Sequence, residues 1–172
     1  MKHSFEAVIF QIDELRSYEW NPTSYNAGGA INDLISRDFA PLKDRLMNAK
    51  ARLELIPNIV AAAKANLKNP PRIHTETAIQ QNKGVIALIK GDLQMFADQA
   101  GMKTELAPSQ EKAVKALEEY GAWLEKDLLP RSNGGLTARP IRSPFRSSSK
   151  PQIEIVSVLY EIRPLCLGGT TA

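Results

Sequence analysis

Cysteine is nearly missing from this 172-residue sequence. Cys166 is the only one, so an intramolecular disulfide is impossible and a structural zinc site has no cysteine pair to build on. Histidine is almost as scarce, with His3 at the chain start and His74 in the interior. A His-Glu-x-x-His zinc helix needs histidines at i and i+4 and is absent, so no metal ligand set is expected in this chain. Two histidines, one of them terminal, also leave a nucleophilic triad short of a base, and no serine stands in Gly-x-Ser-x-Gly. No apolar run approaches the ~18–20 residues that cross a bilayer, which excludes a helical membrane span. Residues 1–6 carry no long apolar core ahead of a small-residue cleavage site, and Glu6 and Asp13 interrupt the apolar positions. No secretion signal is read here, and a cytoplasmic location is the default expectation. Gly28-Gly29 lacks a third glycine at a phosphate-binding spacing and follows no strand, so it predicts a helix start or close packing, not a nucleotide loop.

What is present is an ordinary globular composition, 43% hydrophobic and 24% charged, in a chain long enough for one domain with a sizeable core. The net charge of +3 would suggest nucleic acid as a partner if it were spread over the fold. It is not. Arg131, Arg139, Arg142, Arg146 and Lys150 fall in one stretch without an acid, and the chain before it is close to neutral. A solvated tail explains that stretch, and no specific nucleic-acid binding is expected.

Apolar spacing of three and four residues recurs along the first 130 positions and predicts helices. Phe5, Val8, Ile9, Ile12 and Leu15 give one over residues 5–18. Residues 20–26 are a loop in which Trp20 and Tyr25 anchor to the core or, as the alternative, form a stacking platform. A short helix over residues 30–39 turns Ile31, Leu34 and Ile35 inward. The next begins near Pro41, with Leu42, Leu46, Ala49, Leu53 and Ile56 as its apolar stripe and Lys43, Asp44, Arg45, Lys50 and Arg52 wet, and is expected to kink or restart at Pro57. The longest runs from about residue 73 to 99 on Ile79, Ile86, Ile89, Leu93 and Phe96, with Thr75 as its N-cap. Gly84 and Gly91 inside it predict close approach of a neighbouring helix. Pro108-Ser109 opens the last one, whose Val114, Leu117, Gly121, Leu124 and Leu128 suit an antiparallel neighbour.

The expectation is therefore an all-α fold, an antiparallel bundle or array of about five helices over residues 1–134. Residues 135–172, with Pro140, Pro144 and Pro151 among Ser and Arg, read as a disordered or non-homologous tail. Within that tail, residues 153–162 are β-branched enough for a strand but have no partner strand.

The segment 69–81, Asn-Pro-Pro-Arg-Ile-His-Thr-Glu-Thr-Ala-Ile-Gln-Gln, organises the chain. Two prolines end one helix and admit the next. His74 and Glu76 are two apart and point away from each other on a helix, so they are no chelating pair. Capping or packing at the helix start accounts for His74 without catalysis. Thr75, Thr77, Gln80 and Gln81 add hydrogen-bonding side chains at the same end.

Residues 37–42 (Arg-Asp-Phe-Ala-Pro-Leu), 52–57 (Arg-Leu-Glu-Leu-Ile-Pro) and 65–67 (Ala-Asn-Leu) come first in a longer pattern. They are followed by 70–79 (Pro-Pro-Arg-Ile-His-Thr-Glu-Thr-Ala-Ile) and 123–131 (Trp-Leu-Glu-Lys-Asp-Leu-Leu-Pro-Arg). In that order they resemble a large bacterial family of uncharacterised helical proteins, a domain of unknown function whose members are longer than this chain and often secreted or lipoprotein-anchored. The family is grouped with zinc metallopeptidases because of a His-Glu segment in its C-terminal half. The resemblance covers about residues 5–134 and implies the N-terminal helical part of a metallopeptidase-like protein, without catalytic residues or a cofactor of its own; zinc is implied only for full-length relatives. After Gly134 family members continue as an acidic, aromatic segment, whereas this sequence turns Ser/Arg/Pro-rich, which suggests truncation or a frameshift. On this reading His74, Thr75, Glu76 and Gln80 line a cleft and a peptide is the implied substrate of the relatives. The implied partner of this chain is the missing half, or a second copy of itself. The alternative is a stand-alone helical interaction module.

Overall fold

The structure, a computed structural model, describes residues 11–135. The first part of the helix expected over 5–18, and the tail with its strand-like segment and Cys166, lie outside the described residues. Those described are mostly helical, without a strand. The helices are α1 (Ser17–Trp20), α2 (Gly28–Ser36), α3 (Leu42–Asn66), α4 (Arg72–Leu88) and α5 (Lys103–Trp123). A widened π turn at Ile89–Leu93 carries α4 on into Gln94–Gln99, and another at Leu124–Leu128 lengthens α5 before a 3-10 turn at Leu129–Arg131.

The long helices run up, down and up. Lys50 pairs with Glu105 and Glu54 with Ser109, so α3 and α5 climb together. Asn82 bonds Leu117 while Ile89 bonds Gln110, so α4 and its continuation run against α5. The core between them holds Leu46, Leu53 and Ile56 of α3, Ile89 and Leu93 of the π turn, and Leu106 of α5, each within 1% of complete burial. Ile31, Leu34 and Ile35 of α2 face inward as their spacing requires.

Several sequence expectations need correction. Arg45 is 7% exposed, not wet: its guanidinium donates to the carbonyls of Leu34, Ile35, Arg37 and Ala40 and pairs with Asp38. It satisfies carbonyls that the C-terminal end of α2 leaves without intrahelical donors. Periodicity could not show this, because position 45 falls beside the apolar stripe and a lone arginine there looks solvated. Helix α3 continues through Pro57 without a restart; one missing donor in a 25-residue helix is offset by the packing of Ile56, Ile59 and Val60 on either side of it. Helix α5 starts at Lys103, so Pro108 lies inside it rather than at its opening. The expected helix through residue 18 is broken at Arg16, whose φ of 46° is left-handed and whose guanidinium reaches Glu19. Helix α4 begins at Arg72, three residues before Thr75, which is therefore not its N-cap.

Gly84 and Gly91 are exposed, and a Cβ at either would meet nothing within 4 Å. No neighbour approaches there. The close approach occurs at Gly28 instead, where a Cβ would lie 2.5 Å from the Val85 methyl, so α2 starts against α4 at a point only glycine allows. Gly84→Ala is accordingly expected to stabilise the domain by about 0.5–1 kcal/mol, through helix propensity alone, as a shift in urea midpoint at constant m-value.

Candidate functional site

The start of α4 is where sequence places the polar cluster, and the structure gathers it from three parts of the chain. Pro70 and Pro71 are buried in the turn that precedes Arg72. Against this turn sits the end of the α5 extension: the Gly134 N–H donates to the Pro70 carbonyl at 3.1 Å and the Asn133 N–H to Asn69 Oδ1 at 3.1 Å. Any Cβ at position 134 would overlap the Asn69 carbonyl, so a glycine is required. Ser132 donates to the Leu128 carbonyl, leaving its oxygen to accept from the buried Thr75 hydroxyl at 2.8 Å.

From the other side come α1 and the 3-10 turn Pro22–Tyr25. Asn21 caps that turn, accepting from the Thr23 N–H and hydroxyl. The same Oδ1 lies 3.2 Å from His74 Nδ1. The Trp20 indole packs tilted on the imidazole with ring centres 5.6 Å apart, and its own N–H donates to the Leu15 carbonyl at 2.8 Å. Tyr25 is buried, its hydroxyl donating to the Tyr18 carbonyl and accepting from Asn66. Both aromatics are thus tied down by their polar ends, which is anchoring rather than a bare stacking platform. Burial pushes the Tyr25 hydroxyl up, with Asn66 acting in the other direction.

The four cleft candidates therefore have different surroundings. His74 is half-buried beside Trp20 and Asn21. Thr75 is fully buried and joins α4 to the end of α5. Glu76 pairs with Arg72 at 2.8 Å, and Gln80 is exposed. None of the four lines the small cavity further along α4. That cavity lies among Tyr25, Ile56, Val60, Asn82, Leu117 and Tyr120, with Asn26 and Gln81 hydrogen-bonded to each other beside it. It is small, with room on the order of one or two waters. Sequence reasoning missed Asn21, although an Asn-Pro pair ahead of Thr is a recognisable cap. Among the described residues no three His, Cys, Asp or Glu side chains converge to hold a metal ion, and no helix is long and apolar enough to cross a membrane.

The structure thus defines an all-α domain of three long helices with a short helical layer, closed at one end by a polar junction. Residues 1–141 match the family described as bacterial protein of unknown function (DUF885), and the chain belongs to that family. Among solved structures it is similar to "a putative lipoprotein of unknown function from Shewanella oneidensis", at 34% identity and a TM-score of 0.65. The match covers 70% of this chain and 23% of that one, so the chain spans less than a quarter of that protein's length. No curated protein matches.

Proposed function

We propose that this chain supplies the non-catalytic N-terminal helical part of a zinc-metallopeptidase-like protein, the face at the start of α4 forming a cleft wall in longer family members. The observation that carries this reading is the junction itself. Asn133 and Gly134 are hydrogen-bonded to Asn69 and Pro70, so sequence continuing past Gly134 in a longer relative leaves from the turn that opens α4, the helix that carries His74 and Glu76. The sequence resemblance and the 23% coverage of a longer relative support it. Zinc does not fit the described residues, because His74 faces Asn21 and the Glu76 carboxylate is paired with Arg72. A peptide would be the substrate of the whole protein, with the ligands supplied elsewhere in it.

A second reading, a stand-alone interaction module, is favoured by one feature. Among the described residues the exposed large apolar side chains are Phe39, Met47, Ile73 and Met95, from separate stretches of the chain, while the core side chains of the three long helices are buried. One preparation of the full chain tests both. The purified chain is expected to retain no stoichiometric zinc after dialysis and to leave an unfolded protein substrate intact; chelator-sensitive hydrolysis would overturn the non-catalytic assignment. A sharp thermal transition from a monodisperse species favours the module, and broad melting with self-association favours a part that relies on a missing partner surface.

A further inference from the structure

The cavity beside Tyr120 has a wall whose chemistry selects its contents. Ile56, Ile59, Val60, Val85 and Leu117 make most of it, and no charged side chain lines it. Polar groups around it are already engaged. The Tyr25 hydroxyl donates to the Tyr18 carbonyl and accepts from Asn66, and the Asn82 amide donates to the Leu117 carbonyl. Asn26 and Gln81 line the cavity and are exposed, so they mark where it meets solvent, and they bond to each other at 3.1 Å. Tyr120 is the exception. It lines the cavity at 5% exposure, and among the described residues its hydroxyl is the buried side-chain polar atom without a partner.

An ion suits such a place badly, because nothing on the wall carries a compensating charge. A water suits it little better, since a buried water needs two to four polar partners and this wall is aliphatic around one unpaired hydroxyl. Burial pushes the Tyr120 hydroxyl up, so the phenol keeps its proton and offers an O–H donor. A small uncharged group with one accepting oxygen and an aliphatic body matches both parts of the wall. Phenylalanine at position 120 would spare the domain the desolvation of an unpaired hydroxyl. A group that stays in a core at a cost in stability calls for an explanation outside the fold, and a binding role supplies one. Entry requires only the parting of the exposed Asn26–Gln81 bond, whose amides can turn to water.

We propose that this cavity between α3, α4 and α5 is a binding site for an acetyl-like group, a carbonyl flanked by small aliphatic carbons, whose oxygen accepts from the Tyr120 hydroxyl while its methyl lies against Val60, Val85 and Leu117. Room on the order of one or two waters fits about two or three non-hydrogen atoms, so the body of a larger ligand stays outside, past Asn26 and Gln81. The site does not depend on the cleft-wall reading, because none of His74, Thr75, Glu76 and Gln80 lines it.

The test is methyl NMR on the full chain, with isoleucine, leucine and valine methyls labelled, acetone as the carbonyl probe and xenon under pressure as an apolar probe that needs no hydroxyl. Acetone is expected to shift the Val60, Val85 and Leu117 methyls saturably. Tyr120→Phe should weaken that response about tenfold while the xenon shifts of the same methyls persist. The variant is also expected to be more stable than wild type, so its lost response to acetone cannot be put down to a damaged fold. Saturable acetone shifts that Tyr120→Phe leaves unchanged would overturn the proposal, as would a wild-type protein with no saturable response. Cross-relaxation of these methyls with a long-lived water that acetone does not displace would overturn it too, because the cavity would then be a solvent site.

Discussion

Arg45→Ala is expected to cost the domain about 3 kcal/mol, on the order of 10 °C in thermal midpoint. The side chain is 8% exposed and its guanidinium serves four backbone carbonyls at the end of α2 and in the link to α3. Truncation leaves those carbonyls without their donor, and the bonds to Leu34 and Ile35 are buried. Each buried orphan costs roughly 1–3 kcal/mol, which water entering the gap would reduce. The ion pair contributes little by comparison, because the Asp38 side chain is 95% exposed and surface pairs are worth about 0–1 kcal/mol. Asp38→Asn should therefore move the midpoint only slightly. Arg45→Lys should fail to rescue, since one ammonium cannot reproduce a planar fork that reaches several acceptors. Equal losses for the Asp38 and Arg45 variants would show that the salt bridge, not the carbonyl cap, holds α2 to α3.

Much of this fold was legible because its helices are amphipathic. Ile31, Leu34 and Ile35, then Leu46, Ala49, Leu53 and Ile56, then Ile79, Ile89 and Leu93, recur at helical spacing, and all are buried. What sequence hid was set by groups distant along the chain. Arg45 looks solvated until α2 turns its carbonyls toward it. Gly84 and Gly91 look like contact points because glycine in a helix needs a reason, yet the reason exists at Gly28, where Val85 comes against it. Thr75 looks like a cap because its neighbours, two prolines and a histidine, read as a helix start. Its hydroxyl is instead occupied by Ser132, 57 positions away. The candidate site was legible as a location and not as an arrangement. Segment 69–81 is indeed where the parts of the domain meet, but Asn21, which orients His74, comes from a turn 53 residues earlier. A local reading of either segment contains no trace of that contact.

Tyr120→Phe is expected to act in the opposite direction to Arg45→Ala. Tyr120 is 5% exposed, and its hydroxyl is the buried side-chain polar atom without a hydrogen-bond partner among the described residues. A buried hydroxyl without a partner costs roughly 1–3 kcal/mol of desolvation, and phenylalanine keeps the ring that stacks on Trp123, 6.0 Å between centres and 16° from parallel. Removing the oxygen should raise stability by about 1 kcal/mol, read as a higher urea midpoint at unchanged m-value. The same change at Tyr25 should lower it by a similar amount, because that hydroxyl bonds both the Tyr18 carbonyl and Asn66. The two phenols also predict a pH signature. Burial pushes both hydroxyls up, so above the ordinary tyrosine value of about 10 the unfolded chain releases protons that the folded chain retains. Stability from this source is complete below that pH and is lost as pH rises beyond it. Tyr120→Phe removes one of the two groups, so its advantage over wild type should widen on going from pH 7 to the alkaline range. An advantage that stays constant or shrinks there would mean that the Tyr120 hydroxyl is solvated in the native state, and that its burial is not what makes it costly.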